Sequence, residues 1–478
     1  MGFVFYDTET TGTNTSFDQI LQFAAIRTDE HLNELDRFEI RCRLMPHIVP
    51  SPGALCVTRI SMEQITDPAL PSHYEMMCEI RAKLAAWSPC IFTGWNTLGF
   101  DEHLLRQALY QSLHSPYLTN TGGNSRIDIL KIAQAASVLV PDAIAVPIGD
   151  KGKPTFRLDR LAPANGFNHL NAHDALADVE ATIHVARLIR DNAPGLWADA
   201  IRLADKASVA ALLDAEPCFI LTESFYNLPY QFALTKIGHE PGNAGTLLAL
   251  NLAIDVEQLR AMTDEELAAR LARSPKPVRR IRTNAAPTLQ PSSEYGHFNG
   301  IAADDLRERA LLIQADSEFC ARLIRLSAKP DWPASEFVEE QIYSGFVSRA
   351  DEHRMLEFHR APWKDRPAIV GGFGDARLIA LGRRLIYEHR PDLLPENSRA
   401  KIAAKIAERM VGGGNGKAAW TTIADAQAEA VARMEQCNVN DADILAGVLR
   451  YLASRLPPPV EVAVLQLTVI PHSPAAPC

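Results

Sequence analysis

The opening residues constrain this chain more than any others. Phe3-Val4-Phe5-Tyr6 is an apolar, strand-forming run, and it leads directly into Asp7-Thr8-Glu9. Alternate residues of a strand share a face, so Asp7 and Glu9 point the same way at the end of a segment that otherwise asks to be buried. Two buried carboxylates side by side are costly to ionise unless a cation or a proton compensates them. The pattern asks for a metal ion at the end of the first strand, although Asp-x-Glu after a strand also occurs without one.

Two further carboxylates fall in comparable contexts. Asn96-Thr97-Leu98-Gly99-Phe100-Asp101 directly follows a strand expected over 90–94, and Asp101 opens a helix, where Asp is also an ordinary N-cap. In His173-Asp174-Ala175-Leu176-Ala177-Asp178 the outer residues are five apart, which on a helix separates them by about 140°. His173 therefore belongs at or just before a helix start, with Asp178 in the second turn facing the sheet. An Asp among Ala175, Leu176 and Val179 needs a buried partner, and a metal ion is one; the alternative is that His173 caps the helix and Asp178 meets solvent.

Apolar periodicity predicts strands over 3–6, 20–27, 38–44 and 90–94, with helices over 61–65, 74–87, 101–111 and 171–191. That is an α/β domain. After Pro194-Gly195 come a helix over 200–215, strands over 218–222, 232–237, 247–254 and 278–282, and a helix over 256–272, which together make a mostly β unit. From 304 to 455 the pattern is helical, and a Pro-rich tail follows. The expected division is 1–192, 196–338, 339–460 and 461–478, reasonable for 478 residues.

No apolar run approaches the ~20 residues of a membrane span, the amino terminus lacks the pattern of a signal peptide, and none of the eight cysteines forms a Cys-x-x-Cys pair. A reduced, cytoplasmic protein with no membrane partner fits. The net charge of −10 argues against a passive nucleic-acid binder. It argues less against an enzyme whose bound metal supplies the positive charge.

Taken in order, strand–Asp-x-Glu, strand–Asn-x-x-x-Phe-Asp and helix–His-x-x-x-x-Asp resemble the exonuclease superfamily with four acidic residues and a histidine (DnaQ-like, on a ribonuclease-H-like fold). Gln22 to Asp29, Asn124-Ser125-Arg126-Ile127-Asp128, Phe156-Arg157-Leu158-Asp159 and Ala164-Asn165-Gly166 are similar to bacterial exonuclease I. Gln341-Ile342-Tyr343-Ser344-Gly345-Phe346 is similar to the stretch that opens that family's helical C-terminal region. The resemblance implies a nuclease domain, a mostly β Src-homology-3-like barrel and an all-helical extension. It also implies a 3′→5′ exodeoxyribonuclease that acts on single-stranded DNA in repair and recombination.

By the same resemblance, two Mg²⁺ ions (Mn²⁺ may substitute) are held about 4 Å apart by Asp7, Glu9, Asp101 and Asp178. Asp7 bridges the two ions, and His173 accepts a proton from the attacking water. Glu9, Arg157, Arg106 and Tyr117 are implied to contact the strand. Read bare, Arg106 is equally a surface arginine and Tyr117 a core tyrosine. The run Arg273, Lys276, Arg279, Arg280 and Arg282 is either a guide for a phosphate backbone or a solvated face. A monomer is expected, with single-strand-binding protein and other repair proteins as further partners.

Gly412 to Lys417 fails the phosphate-loop pattern at both ends, and His169-x-x-x-His173 lacks the glutamate of a zinc protease. Two rival readings keep the residues but change the function. One is an exoribonuclease or proofreading nuclease; the other is a catalytically inactive scaffold that binds single strands.

Overall fold

A computed structural model describes residues 1–168, 174–328, 334–412, 418–436 and 438–455. The nuclease region is built on a five-stranded sheet of order β3-β2-β1-β4-β5. Its strands are β1 Phe3–Thr10, β2 Ile20–Thr28, β3 Glu34–Arg41, β4 Ile91–Thr93 and β5 Ser125–Arg126. β1 pairs antiparallel with β2 and parallel with β4, which places it at the centre of the sheet. Its helices are α1 Pro52–Thr58, α2 Met62–Thr66, α3 His73–Trp87, α4 Asp101–Gln111, α5 Ile129–Leu139, α6 Leu158–Ala164 and α7 Ala175–Asn192.

The alternation along β1 sorts the two faces. Phe3 and Phe5 join Val179, Ile183 and Ile189 of α7 in one core. Val4 and Tyr6 join Met76, Ile80, Leu104 and Leu105 of α3 and α4 in another.

Strand β3 begins at Glu34 instead of the expected Phe38. The Asp29 carboxylate accepts from the His31 and Asn33 amides and closes a tight turn directly after β2. Pairing then starts on charged, exposed residues of an edge strand, where the apolar pattern is silent and charge guards the open edge.

The second region is an antiparallel sheet of order β10-β6-β7-β8-β9, with β6 Phe219–Phe225, β7 Leu228–Glu240, β8 Asn243–Asn251, β9 Val278–Arg282 and β10 Thr288–Pro291. β10 lies in a stretch that reads as a Pro/Ser-rich end of the unit. It is an edge strand pairing only with β6, and an edge tolerates Pro291. The helix expected over 256–272 is two. Thr263 and Glu266 form a capping box that starts a new helix at Asp264, while Met262 is extended.

Helices of the C-terminal region do not close a core by themselves. Phe358, Leu381 and Ile386 pack with Tyr74, Tyr110 and Leu113 of the nuclease region. Ile423, Ile444 and Val448 pack with Leu21, Leu55 and Met62. No helix among the described residues is long and apolar enough to cross a membrane.

Candidate active site

Asp7 and Glu9 continue the face begun by Phe3 and Phe5, which is the face that α7 covers. Asp178 lies in the first turns of α7, and one carboxylate oxygen from each of Asp7, Glu9 and Asp178 lies within 4.8 Å of the others. Glu9 is buried and Asp7 and Asp178 partly so. The expectation that Asp178 shares a site with the first strand therefore describes the geometry.

Asp101 stands outside that triangle but beside it. Its Oδ1 accepts from Thr8 N at 3.2 Å and from Thr8 Oγ1 at 2.6 Å. Thr8, the residue between the two strand carboxylates, thus fixes the third from the opposite face of β1. Asp101 opens α4 as its first residue, but the N-cap position belongs to Phe100, which makes no side-chain cap. The capping alternative does not describe Asp101.

Burial, then the neighbouring Asp101, Asp178 and Glu9 charges, hold the Asp7 carboxyl well above the usual carboxylate range. Burial and Asp178 push Glu9 up to about 9, and burial raises Asp101 to about 7 against the hydrogen bonds from Thr8. Arg41 opposes the shift on Glu9, but it is itself paired with Glu39 and Asp174. Four buried or half-buried acids, offering oxygen ligands only, fit a hard divalent ion.

The cap of α7 is Asp174, whose side chain accepts from Ala177 N and also from Arg41 and Gln22. Neither reading of the His173–Asp178 motif includes it, although Asp is a favoured N-cap. Its charge adds to those raising Asp7 and Glu9. His173 and His169 lie outside the described residues, as do Gly413 to Lys417.

Asp128, in one of the family-like runs, is buried. It accepts from the amides of Asn96, Leu98 and Leu130, so the loop before Asp101 is tied to the start of α5. Glu102, next to Asp101, is a second residue the motifs do not flag. It accepts from Arg106 at 2.6 Å, Arg126 at 2.7 Å, Thr119 at 2.6 Å and Tyr6 at 2.8 Å. Burial alone would raise its carboxyl, but Arg126 and Arg106 overcome this and hold it low.

Arg106 is not a free surface arginine. It is held by Glu102 and Asn120, and its guanidinium lies 5.6 Å from the Tyr117 ring centroid. Tyr117 is half-buried, not part of a closed core. Arg157 is exposed and paired with Asp159 at 2.7 Å. In the basic run, Arg280 pairs with Glu240 at 2.7 Å, and Arg279 stacks 3.8 Å from the Phe232 ring centroid and faces Glu223 at 3.5 Å. Part of that run's charge is therefore spent within the protein.

Two family descriptions match the chain: "Exonuclease" over residues 4–186 and "Exonuclease I C-terminal domain" over residues 336–455. Exodeoxyribonuclease I of Escherichia coli K12 is 28% identical over 412 residues, covering 82% of this chain and 86% of that protein. Exodeoxyribonuclease I of Haemophilus influenzae is also 28% identical, over 79% and 84%. Among solved structures, E. coli exonuclease I in complex with a dA16 oligonucleotide superposes with a TM-score of 0.84 at 23% identity, covering 95% of this chain and all of that one. Exonuclease I from Methylocaldum szegediense gives 0.81 at 24% identity, over 95% and 99%. With an exonuclease domain around a carboxylate cluster and the C-terminal domain that accompanies it in exonuclease I, the chain is an exonuclease and belongs to the exonuclease I family.

Proposed function

We propose that this exonuclease removes nucleotides one at a time from the 3′ end of single-stranded DNA, with Mg²⁺, releasing nucleoside 5′-monophosphates. The observation that carries the reading is the convergence of Asp7, Glu9 and Asp178 within 4.8 Å, with Asp101 beside them. The activity of the exodeoxyribonuclease I relatives, and the oligonucleotide bound to the E. coli enzyme, support the choice of DNA and of a single strand.

Asp7, Glu9 and Asp178 would hold one ion, and Asp7 with Asp101 a second. When bound, the ions would neutralise the scissile phosphate and the charge growing on the leaving oxygen. The remaining work falls to the chain. Thr8 holds Asp101 in place with two hydrogen bonds, and Asp174 caps α7 and so fixes the turn that carries Asp178. His173 takes the proton of the attacking water, whose oxygen joins phosphorus as the bond to the 3′ oxygen breaks. The phosphate then leaves on the 5′ side of the released nucleotide. We assign the nuclease chemistry to 1–192, the β unit to 196–338 and the helical extension to 339–460, with 461–478 a tail.

The test is digestion of a 5′-labelled DNA oligonucleotide with Mg²⁺, beside RNA of equal sequence and a blunt duplex. A ladder shortening from the 3′ end of the single-stranded DNA, absent in Asp7→Ala and His173→Ala, is expected. Preferential loss of the RNA would overturn the substrate, and three intact substrates would overturn the enzyme.

A further inference from the structure

Strand β1 pairs regularly with β2 as far as Glu9, opposite Gln22, and the register shifts between Glu9 and Thr10. Past that point the loop 11–18 takes over, so Glu9 is only as well placed as the loop that follows it. Within the loop the Asp18 carboxylate accepts from Thr11 Oγ1 at 2.9 Å and from Asn14 N at 2.7 Å. Thr11 N in turn donates to Gln19 O at 3.0 Å. A Cβ on Gly12 would meet the Asp18 carboxylate at 2.5 Å, so the loop closes tightly on itself.

The middle of the loop is held by residues of the C-terminal region. Phe17, 3% exposed, packs against Phe337 and Trp420, with ring centroids 5.8 and 5.3 Å away. Those two rings meet edge to face at 5.1 Å, a favoured arrangement, and close a triangle of three. Arg409, from the helix Glu396–Val411, backs the triangle. Its guanidinium lies 5.2 Å from the Phe17 centroid and 5.0 Å from that of Trp420. It pairs with Glu339 at 2.7 Å and donates to Phe17 O at 3.5 Å. Trp420 donates its indole N–H to Arg409 O at 2.7 Å, and Asn14 Nδ2 reaches Ala419 O at 2.6 Å.

Such support matters at this place in the chain. Metal ligands must be held to within about 0.5 Å of their working geometry, and carboxylates that repel one another do not gather unaided. Packing has to place Glu9, and the buried ring next along the chain is Phe17.

We propose that Trp420 and Arg409 are positioning residues for the hydrolytic site. Through Phe17 they fix the loop 11–18 and with it the Glu9 end of β1, so the helical extension sets the spacing at which the carboxylates take a divalent ion. Both act through the loop and take no part in bond breaking. The inference rests on the reading of Asp7, Glu9 and Asp178 as metal ligands.

The experiment adds Mn²⁺ to the full chain in a calorimeter, counting the binding that Asp7→Ala abolishes, and measures kcat and KM on a single-stranded DNA oligonucleotide beside it. Trp420→Ala should raise the Mn²⁺ Kd about tenfold, the lower end of what an outer support of a metal ligand contributes. It should lower kcat and leave KM for DNA unchanged. Trp420→Phe keeps a ring against Phe17 and should restore most of both. Arg409→Lys keeps a charge for Glu339 but loses the planar group behind the rings, and should weaken Mn²⁺ binding in the same direction. Phe17→Leu added to Trp420→Ala should do no more than the worse single variant, because both break one contact. Asn14→Ala, at an exposed position, should shift the Kd the same way by less, and it carries the test if Trp420→Ala does not fold.

If wild type neither binds Mn²⁺ nor cleaves DNA, the proposed function itself fails. If wild type does both, while folded Trp420→Ala and Asn14→Ala keep its Kd and kcat, the rings only stabilise the fold and the inference is overturned. Additive losses in the double variant would overturn it too, since Trp420 would then act by a route other than Phe17.

Discussion

Lowering the pH should weaken this protein in a way traceable to one pair of rings. His114, just beyond α4, and His359, in the helix Arg349–Arg360, stack with centroids 3.8 Å apart and planes 12° from parallel. Burial, then the charges of His359 and Arg81, lower His114 to about 2; burial lowers His359 to about 4 despite its bond to Leu113 O. In the unfolded chain each titrates near 6.5. Folding thus depresses both, and the native state stays neutral where the unfolded state takes up protons. Stability is full above about pH 6.5 and falls as the pH drops below it. At pH 5.5 each ring costs RT ln(1 + 10), about 1.4 kcal/mol, so the pair costs about 3 kcal/mol. His114→Gln keeps a polar group near Cys78 Sγ, which His114 Nε2 approaches at 3.6 Å, and removes one titration. Urea unfolding at pH 7.5 and 5.5 should show the loss of stability shrinking by about 1.4 kcal/mol in the variant. An equal loss in both proteins would refute the argument, since His114 would then be free to charge in the native state.

Three other perturbations have defined outcomes. Asp7→Asn should lower the turnover of single-stranded DNA on the order of a thousandfold, while raising the melting temperature in chelator, because it removes a charge from a buried acidic cluster. Gly94→Ala should destabilise by about 1–3 kcal/mol in denaturant titration and depress activity. Its Cβ would meet Thr97 Oγ1 at 2.1 Å and Tyr6 O, on β1 beside Asp7, at 2.4 Å. Burial would raise Glu339, but Arg384 and Arg409, each at 2.7 Å, draw it down to about 2. This stabilising term is present above about pH 4.5 and is lost as the pH falls toward 2. Glu339→Gln should therefore flatten the acid limb of the stability curve while lowering stability at pH 7.

What the sequence makes legible follows from the range of the interactions involved. Asp7 and Glu9 are readable because period-two alternation places them on one face, and Asp178 because the sequence sets its carboxylate among the apolar Ala175, Leu176 and Val179. Asp174 is missed for the opposite reason: its role as a cap is local and ordinary, and its part in the cluster comes from β2 and β3 across space. Glu102 is invisible because its four partners stand at positions 6, 106, 119 and 126. β10 is masked by Pro287 just before it and Pro291 at its end, which an edge position excuses. His114 and His359 meet from opposite halves of the chain, and no pattern within either segment announces the stack.

The helix that begins at Asp101 has a consequence for how such a protein can change. One side of α4 lines the nuclease core through Leu104 and Leu105, while its Tyr110 and the adjoining Leu113 belong to the core completed by Phe358 and Leu381. Severing the chain after residue 192 would strip those side chains of their cover and leave Gln107 without the Glu339 carbonyl. The catalytic unit is therefore not a detachable module. An insertion or loss in the C-terminal half that shifts Phe358, Leu381 or Glu339 is felt at the helix that carries Asp101.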